Sequence, residues 1–78
     1  MGENELKALR IAADGGIHYD RARYRGKDGK ALSFGGFQTL YVLSDRKLIA
    51  GVGKHWSVDR WDATDLGRRW LAEHGHGG

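Results

Sequence analysis

The chain contains neither cysteine nor proline. Without cysteine there is no disulfide framework and no thiolate metal site, so a fold of 78 residues must be held by packing alone or with the help of a partner subunit. A homodimer is one way to gain that extra buried surface. The absence of proline removes a common argument against central strands. No apolar run approaches the roughly 18 residues of a membrane span. The start of the chain, Met1 to Leu6, is polar and acidic and lacks a signal-peptide core. These features lead to the expectation of a cytoplasmic protein that does not engage a membrane.

Recognised reaction motifs are also missing. Ser33, Ser44 and Ser57 lie in no nucleophile-elbow pattern. The run Gly51-Val52-Gly53-Lys54 resembles a phosphate loop only superficially, because Leu48 stands where the first glycine is required and His55 where a hydroxyl is required. His18, Asp20 and His55 form a two-histidine, one-carboxylate set only if distant strands meet. The sequence therefore predicts no catalytic residue, no metal site and no cofactor.

What is present suits a small folded unit. Three tryptophans, three tyrosines and two phenylalanines supply large buried areas. Residues 1–78 form a single domain, with 1–4 and 75–78 expected to fray. Asp14-Gly15-Gly16, Gly26-Lys27-Asp28-Gly29, Gly35-Gly36 and Ser44-Asp45-Arg46-Lys47 punctuate the chain as turns. Between them, strands are expected near 6–13, 17–25, 31–35, 38–44 and 47–54. The first rests on the alternation of Leu9, Ile11 and Ala13, with a helix capped at Asn4 as the alternative. The fourth rests on its apolar character on both faces, and the glycines of the fifth suggest close approach by another element, a bulge or a strong bend. The C-terminal segment reads as a helix capped by Asp62, with Trp61 stapled onto Leu66 and Ala63, Leu66, Trp70 and His74 on one face. Gly67 in its interior allows close approach to the sheet. Trp56, Trp61 and Trp70 are expected around the entrance of that helix, and Arg68 and Arg69 are expected to pair with Asp65 and Glu73 on its surface. The fold class is α+β: a small antiparallel sheet of four to five strands, or an open barrel, with one C-terminal helix packed on it.

The charge is unevenly placed. The net charge is +3, but the block Arg21 to Lys30 holds five cations against Asp28, so the rest of the chain sums to −1. In a strand over 17–25, Arg21, Arg23 and Arg25 project from one face about 6–7 Å apart, close to the phosphate repeat of a nucleic-acid strand. Lys27, Lys30 and Lys54 extend the patch, and Tyr19 and Tyr24 are available to stack on bases. The competing reading is a solvated edge strand whose arginines are paired by Asp14, Asp20 or Glu5. The expected function is a non-enzymatic binding module for nucleic acid, with a protein-interaction module docking on an acidic or nucleic-acid-handling partner as the alternative. The exposure of the arginines decides between a binding surface and an ordinary paired one.

Overall fold

A computed structural model describes residues 2–20, 23–33, 37–53 and 58–74. In chain order these form α1 (Glu3–Ala13), β1 (Ile17–Asp20), β2 (Arg23–Arg25), α2 (Phe37–Asp45), β3 (Ile49–Val52), β4 (Arg60–Ala63) and α3 (Asp65–His74). The four strands make one antiparallel sheet in the order β2-β1-β4-β3. The α+β class holds, but the sheet is open rather than a closed barrel, and helices stand at both ends and in the middle of the chain.

Two expected strands are helices. Segment 6–13 belongs to α1, where Ala8, Leu9 and Ala12 are buried. Their spacing of one and four is helical, and it overrides the alternation of Leu9, Ile11 and Ala13, of which Ile11 is only half-buried. Glu3 and Asn4 are already inside this helix rather than frayed. Gly15 and Gly16, both at positive φ (94° and 90°), end it and lead directly into β1. Segment 38–44 belongs to α2, which buries Thr39, Leu40 and Leu43 and leaves Tyr41 exposed. What looked like a strand apolar on both sides is a helix with one buried stripe. Its end is a Schellman turn: the Leu48 amide donates to the Leu43 carbonyl and the Lys47 amide to the Ser44 carbonyl. Lys47 takes the left-handed position at φ 62°, where glycine is the usual residue.

The expected strand over 17–25 is a hairpin. Asp20 pairs with Arg23 and Tyr19 with Tyr24, so the chain reverses between residues 20 and 23. Beyond β2 the Gly26–Gly29 turn folds back, and the described part of the expected strand at 31–35, residues 31–33, pairs with β2 through the bridge Arg25↔Ala31 and the Leu32 amide, which donates to the Tyr24 carbonyl; the rest lies outside the described residues.

The last helix begins two residues later than expected. Asp62 and Trp61 lie in β4, so neither caps nor staples α3. Thr64 caps it instead: its Oγ1 accepts from the Gly67 amide (3.0 Å) and donates to the Lys47 carbonyl (2.7 Å). Gly67 is buried against Leu9 and the Leu48 carbonyl, so close approach is its role. The face that packs inward carries Gly67, Trp70 and Leu71, whereas Leu66 is exposed. Among the described residues Arg68 pairs with no carboxylate; its Nη1 donates to the Ala13 carbonyl at the end of α1 (3.1 Å), and the pairs expected of Arg68 and Arg69 with Asp65 and Glu73 do not form.

The core lies between the helices and one face of the sheet. Leu9, Ile17, Leu40 and Leu43 are its fully buried large side chains, with Ala8, Ala12, Leu48 and Ile49 completing it. No helix among the described residues is long and apolar enough to cross a membrane.

Candidate functional site

Strand alternation and register divide the sheet into two unlike faces. Ile17 pairs with Trp61, Gly51 with Trp61, Ile49 with Ala63 and Tyr19 with Tyr24, which puts these residues on the helix-covered side. His18 pairs with Arg25 and with Arg60, Asp20 with Arg23, Ala50 with Asp62 and Val52 with Arg60, which puts these on the other. None of this second set belongs to the buried cluster or packs on it. One face is therefore core, and the other is a polar surface that no described helix covers.

The open face carries three arginines, Arg23, Arg25 and Arg60, together with His18. Two aspartates, Asp20 and Asp62, occupy register positions on the same side. Arg60 holds Asp62 in an ion pair (Nε to Oδ1, 2.9 Å) along its own strand. Arg25 is half-buried: its Nη1 donates to the Gly29 carbonyl (2.9 Å), and its Nε is buried without a partner among the described residues. That side chain braces the 26–29 turn. Arg23 is exposed and forms no ion pair among the described side chains. His18 Nε2 donates to the Gly15 carbonyl (3.2 Å), which ties β1 to the end of α1.

The expected basic stripe is thus regrouped. Arg23 and Arg25 share a face as alternation requires, and Arg21 and Lys54 lie outside the described residues. Lys27 leaves the patch altogether. Its Nζ donates to Asp14 Oδ1 (2.9 Å) across to the end of α1, and this hydrogen bond, followed by the Asp14 charge, pushes the ammonium pKa above its ordinary 10.5. Lys30 is exposed, and its backbone amide is held by Asp28 Oδ1 (3.0 Å) in the turn. Its register opposite Gly26 points it toward the covered side, away from Arg23. The sequence did not single out Arg60, which replaces the displaced lysines; its i, i+2 spacing from Asp62 was the available signal.

Tyr19 and Tyr24 are brought together, with ring centroids 5.1 Å apart and planes tilted by 50°. They sit on the covered face, opposite the arginines. Burial, and secondarily the neighbouring Tyr19, pushes the Tyr24 phenol above its ordinary value of 10.0, so it stays protonated and able to donate. With Phe37, Val58 and Trp61 they line a cleft of about 300 Å³ where the helices stop covering the sheet. Trp61 and Val58 crowd over Gly51, the close approach its lack of a side chain permits. Phe37 also meets Tyr41 edge-on (4.7 Å), a helical i, i+4 pair that a strand reading of this segment conceals. Of the tryptophans expected around the last helix, Trp61 and Trp70 pack on the core, and Trp56 lies outside the described residues.

His55 is likewise outside them, and among the described residues no group of three histidine, aspartate or glutamate side chains could hold a metal ion. Comparison of the chain with protein-family models, with curated proteins and with solved structures finds no match.

Proposed function

We propose that the chain is a non-enzymatic binding module that engages nucleic-acid phosphates through the open face of its sheet. The observation that carries this reading is Arg23: exposed, without an ion pair among the described side chains, and set on a face shared with Arg25, Arg60 and His18. An exposed guanidinium on a polar sheet face is placed to form a forked contact with a phosphate and release its counterions. Arg60 strengthens the local field at the cost of competition from Asp62, and Arg25 contributes charge while its hydrogen bond to the Gly29 carbonyl holds the turn. Contacts of this kind track the backbone and carry little sequence information.

The test is a salt series of binding to fluorescent single- and double-stranded oligonucleotides. The wild type is expected to bind both, with an affinity that falls linearly on a log–log plot against salt. Arg23→Ala is expected to reduce the slope by about 0.7–0.9, the loss of one phosphate contact, with the fold intact by circular dichroism. A wild-type chain that binds no DNA or RNA at low salt ends this reading.

A further inference from the structure

The ion pair on the open face is held from one side only. A single donor, the Arg60 Nε, faces both carboxylate oxygens of Asp62, with Oδ1 at 2.9 Å and Oδ2 at 3.1 Å. The other N–H groups of the guanidinium, on Nη1 and Nη2, have no partner among the described residues. Alternation puts both residues on the open face of β4, and the Arg60 side chain is 43% exposed, so the free end of the guanidinium reaches solvent. We propose, on the reading that this face binds phosphate, that Asp62 is a positioning residue: it holds Arg60 by Nε so that Nη1 and Nη2 take one phosphate in a forked contact.

The stem of Arg60 is held as well. Gly16, in the turn between α1 and β1, packs against the pair: a Cβ there would lie 2.6 Å from Asp62 Oδ1 and 2.9 Å from Arg60 Cγ and Cδ. A side chain fixed along its stem and at Nε has lost rotamer freedom before a ligand arrives, so less entropy is lost on binding. The planar guanidinium presents its donors along separate edges, so a carboxylate at Nε leaves the Nη edge open to a phosphate. Neither of the other described arginines of this face is arranged in this way. Arg23 has no ion pair among the described side chains to orient it. Arg25 commits Nη1 to the Gly29 carbonyl, and its Nε is buried.

Asp62 also opposes phosphate through its charge, and the two roles predict different outcomes. Asparagine and alanine at this position remove the same charge, but only asparagine keeps an oxygen that accepts from Nε. A role by charge alone makes the two variants equal. A positioning role separates them, and only while Arg60 is present.

The experiment follows the anisotropy of a short fluorescein-labelled DNA duplex titrated with the full chain at low salt. Asp62→Ala is expected to bind about fivefold more weakly than Asp62→Asn, the scale of ordering one long side chain. In an Arg60→Ala background the same two substitutions should agree within about twofold. Asp62→Ala should also show the shallower salt dependence of the two, because it weakens a phosphate contact. Both side chains of the pair are partly exposed, so circular dichroism of the variants should match the wild type. Should Asp62→Ala unfold, Asp62→Val, which suits a strand, takes its place in the same comparison. Equal affinities of Asp62→Asn and Asp62→Ala overturn the proposal and leave the phosphate-binding reading standing. So does a gap that persists without Arg60, since the side chain then supports the strand rather than the guanidinium. A wild-type chain that binds neither duplex nor single strand at low salt overturns both.

Discussion

The two faces of the sheet are built from alternate residues of the same four strands, yet they serve opposite ends. On one face, Ile17, Ile49 and Ala63 meet Leu9, Leu40 and Leu43 from the helices, and the chain's stability is concentrated there. On the other, Arg23, Arg60, Asp62 and His18 meet solvent, and losing any one of them removes little packing. The covered face is itself divided. The helices seal it at Ile17 and Ile49, while Tyr19 stays about half exposed beside Tyr24 and Trp61, which pack against the core and line an aromatic cleft at the boundary. In a chain of this size the helical cover is not large enough for the whole sheet. The core, the cleft and the polar face are therefore three consequences of one register.

The largest effect expected of this division is at Leu9, which is fully buried between α1 and the sheet. Leu9→Ala should cost about 2–5 kcal/mol by chemical denaturation, while Arg23→Ala should stay within about 0.5 kcal/mol of wild type. Similar losses at the two positions would erase the distinction between the faces. Next comes Gly67. Alanine there gains about 1 kcal/mol of helix propensity but drives a methyl group into the Leu48 carbonyl and against Leu9, so Gly67→Ala should be destabilising by about 1–2 kcal/mol net. A thermal melt that rises instead would place α3 farther from the core than the structure has it.

The smallest effect concerns protons. Tyr24 on the covered face has a raised pKa, so its stabilising contribution is fully present below the ordinary value of 10.0 and is lost as pH rises through the higher folded-state value. Lys27, raised by its hydrogen bond to Asp14, acts in the same direction above 10.5, although it is fully exposed and screened by solvent. Stability should thus decline on titration above pH 10, and Tyr24→Phe should flatten the first part of that decline. An unchanged alkaline profile in Tyr24→Phe would mean that the phenol is fully solvated and the cleft more open than described.

The turns were readable from local chemistry. Asp14-Gly15-Gly16 and Gly26-Lys27-Asp28-Gly29 need glycine's conformational freedom wherever they occur, and each ends an element. The C-terminal helix and the need for a small residue at Gly67 were legible for the same reason. The two misread helices show where local reasoning fails. Leu9, Ile11 and Ala13 satisfy a strand period while Ala8, Leu9 and Ala12 satisfy a helical one, and only the burial of the second set decides between them. The segment Gln38–Leu43 is ambiguous for a different reason, since apolar residues fall on all sides and the sequence does not say that Tyr41 is left outside.

The basic run was equally divided. Its composition required that Arg23 and Arg25 share a face if they lie in a strand, because side chains alternate, and they do. Which cations stand beside them was not a local matter. The Asp14–Lys27 contact drew one lysine away to α1, and the pairing of β1 with β4 brought in Arg60 from 35 residues beyond Arg25. The amino-acid sequence by itself determined where the chain turns and how much positive charge is available. The tertiary structure alone decided which of those charges meet solvent together and which aromatic rings the helices leave uncovered, because both depend on strand register and on the area the helices can bury.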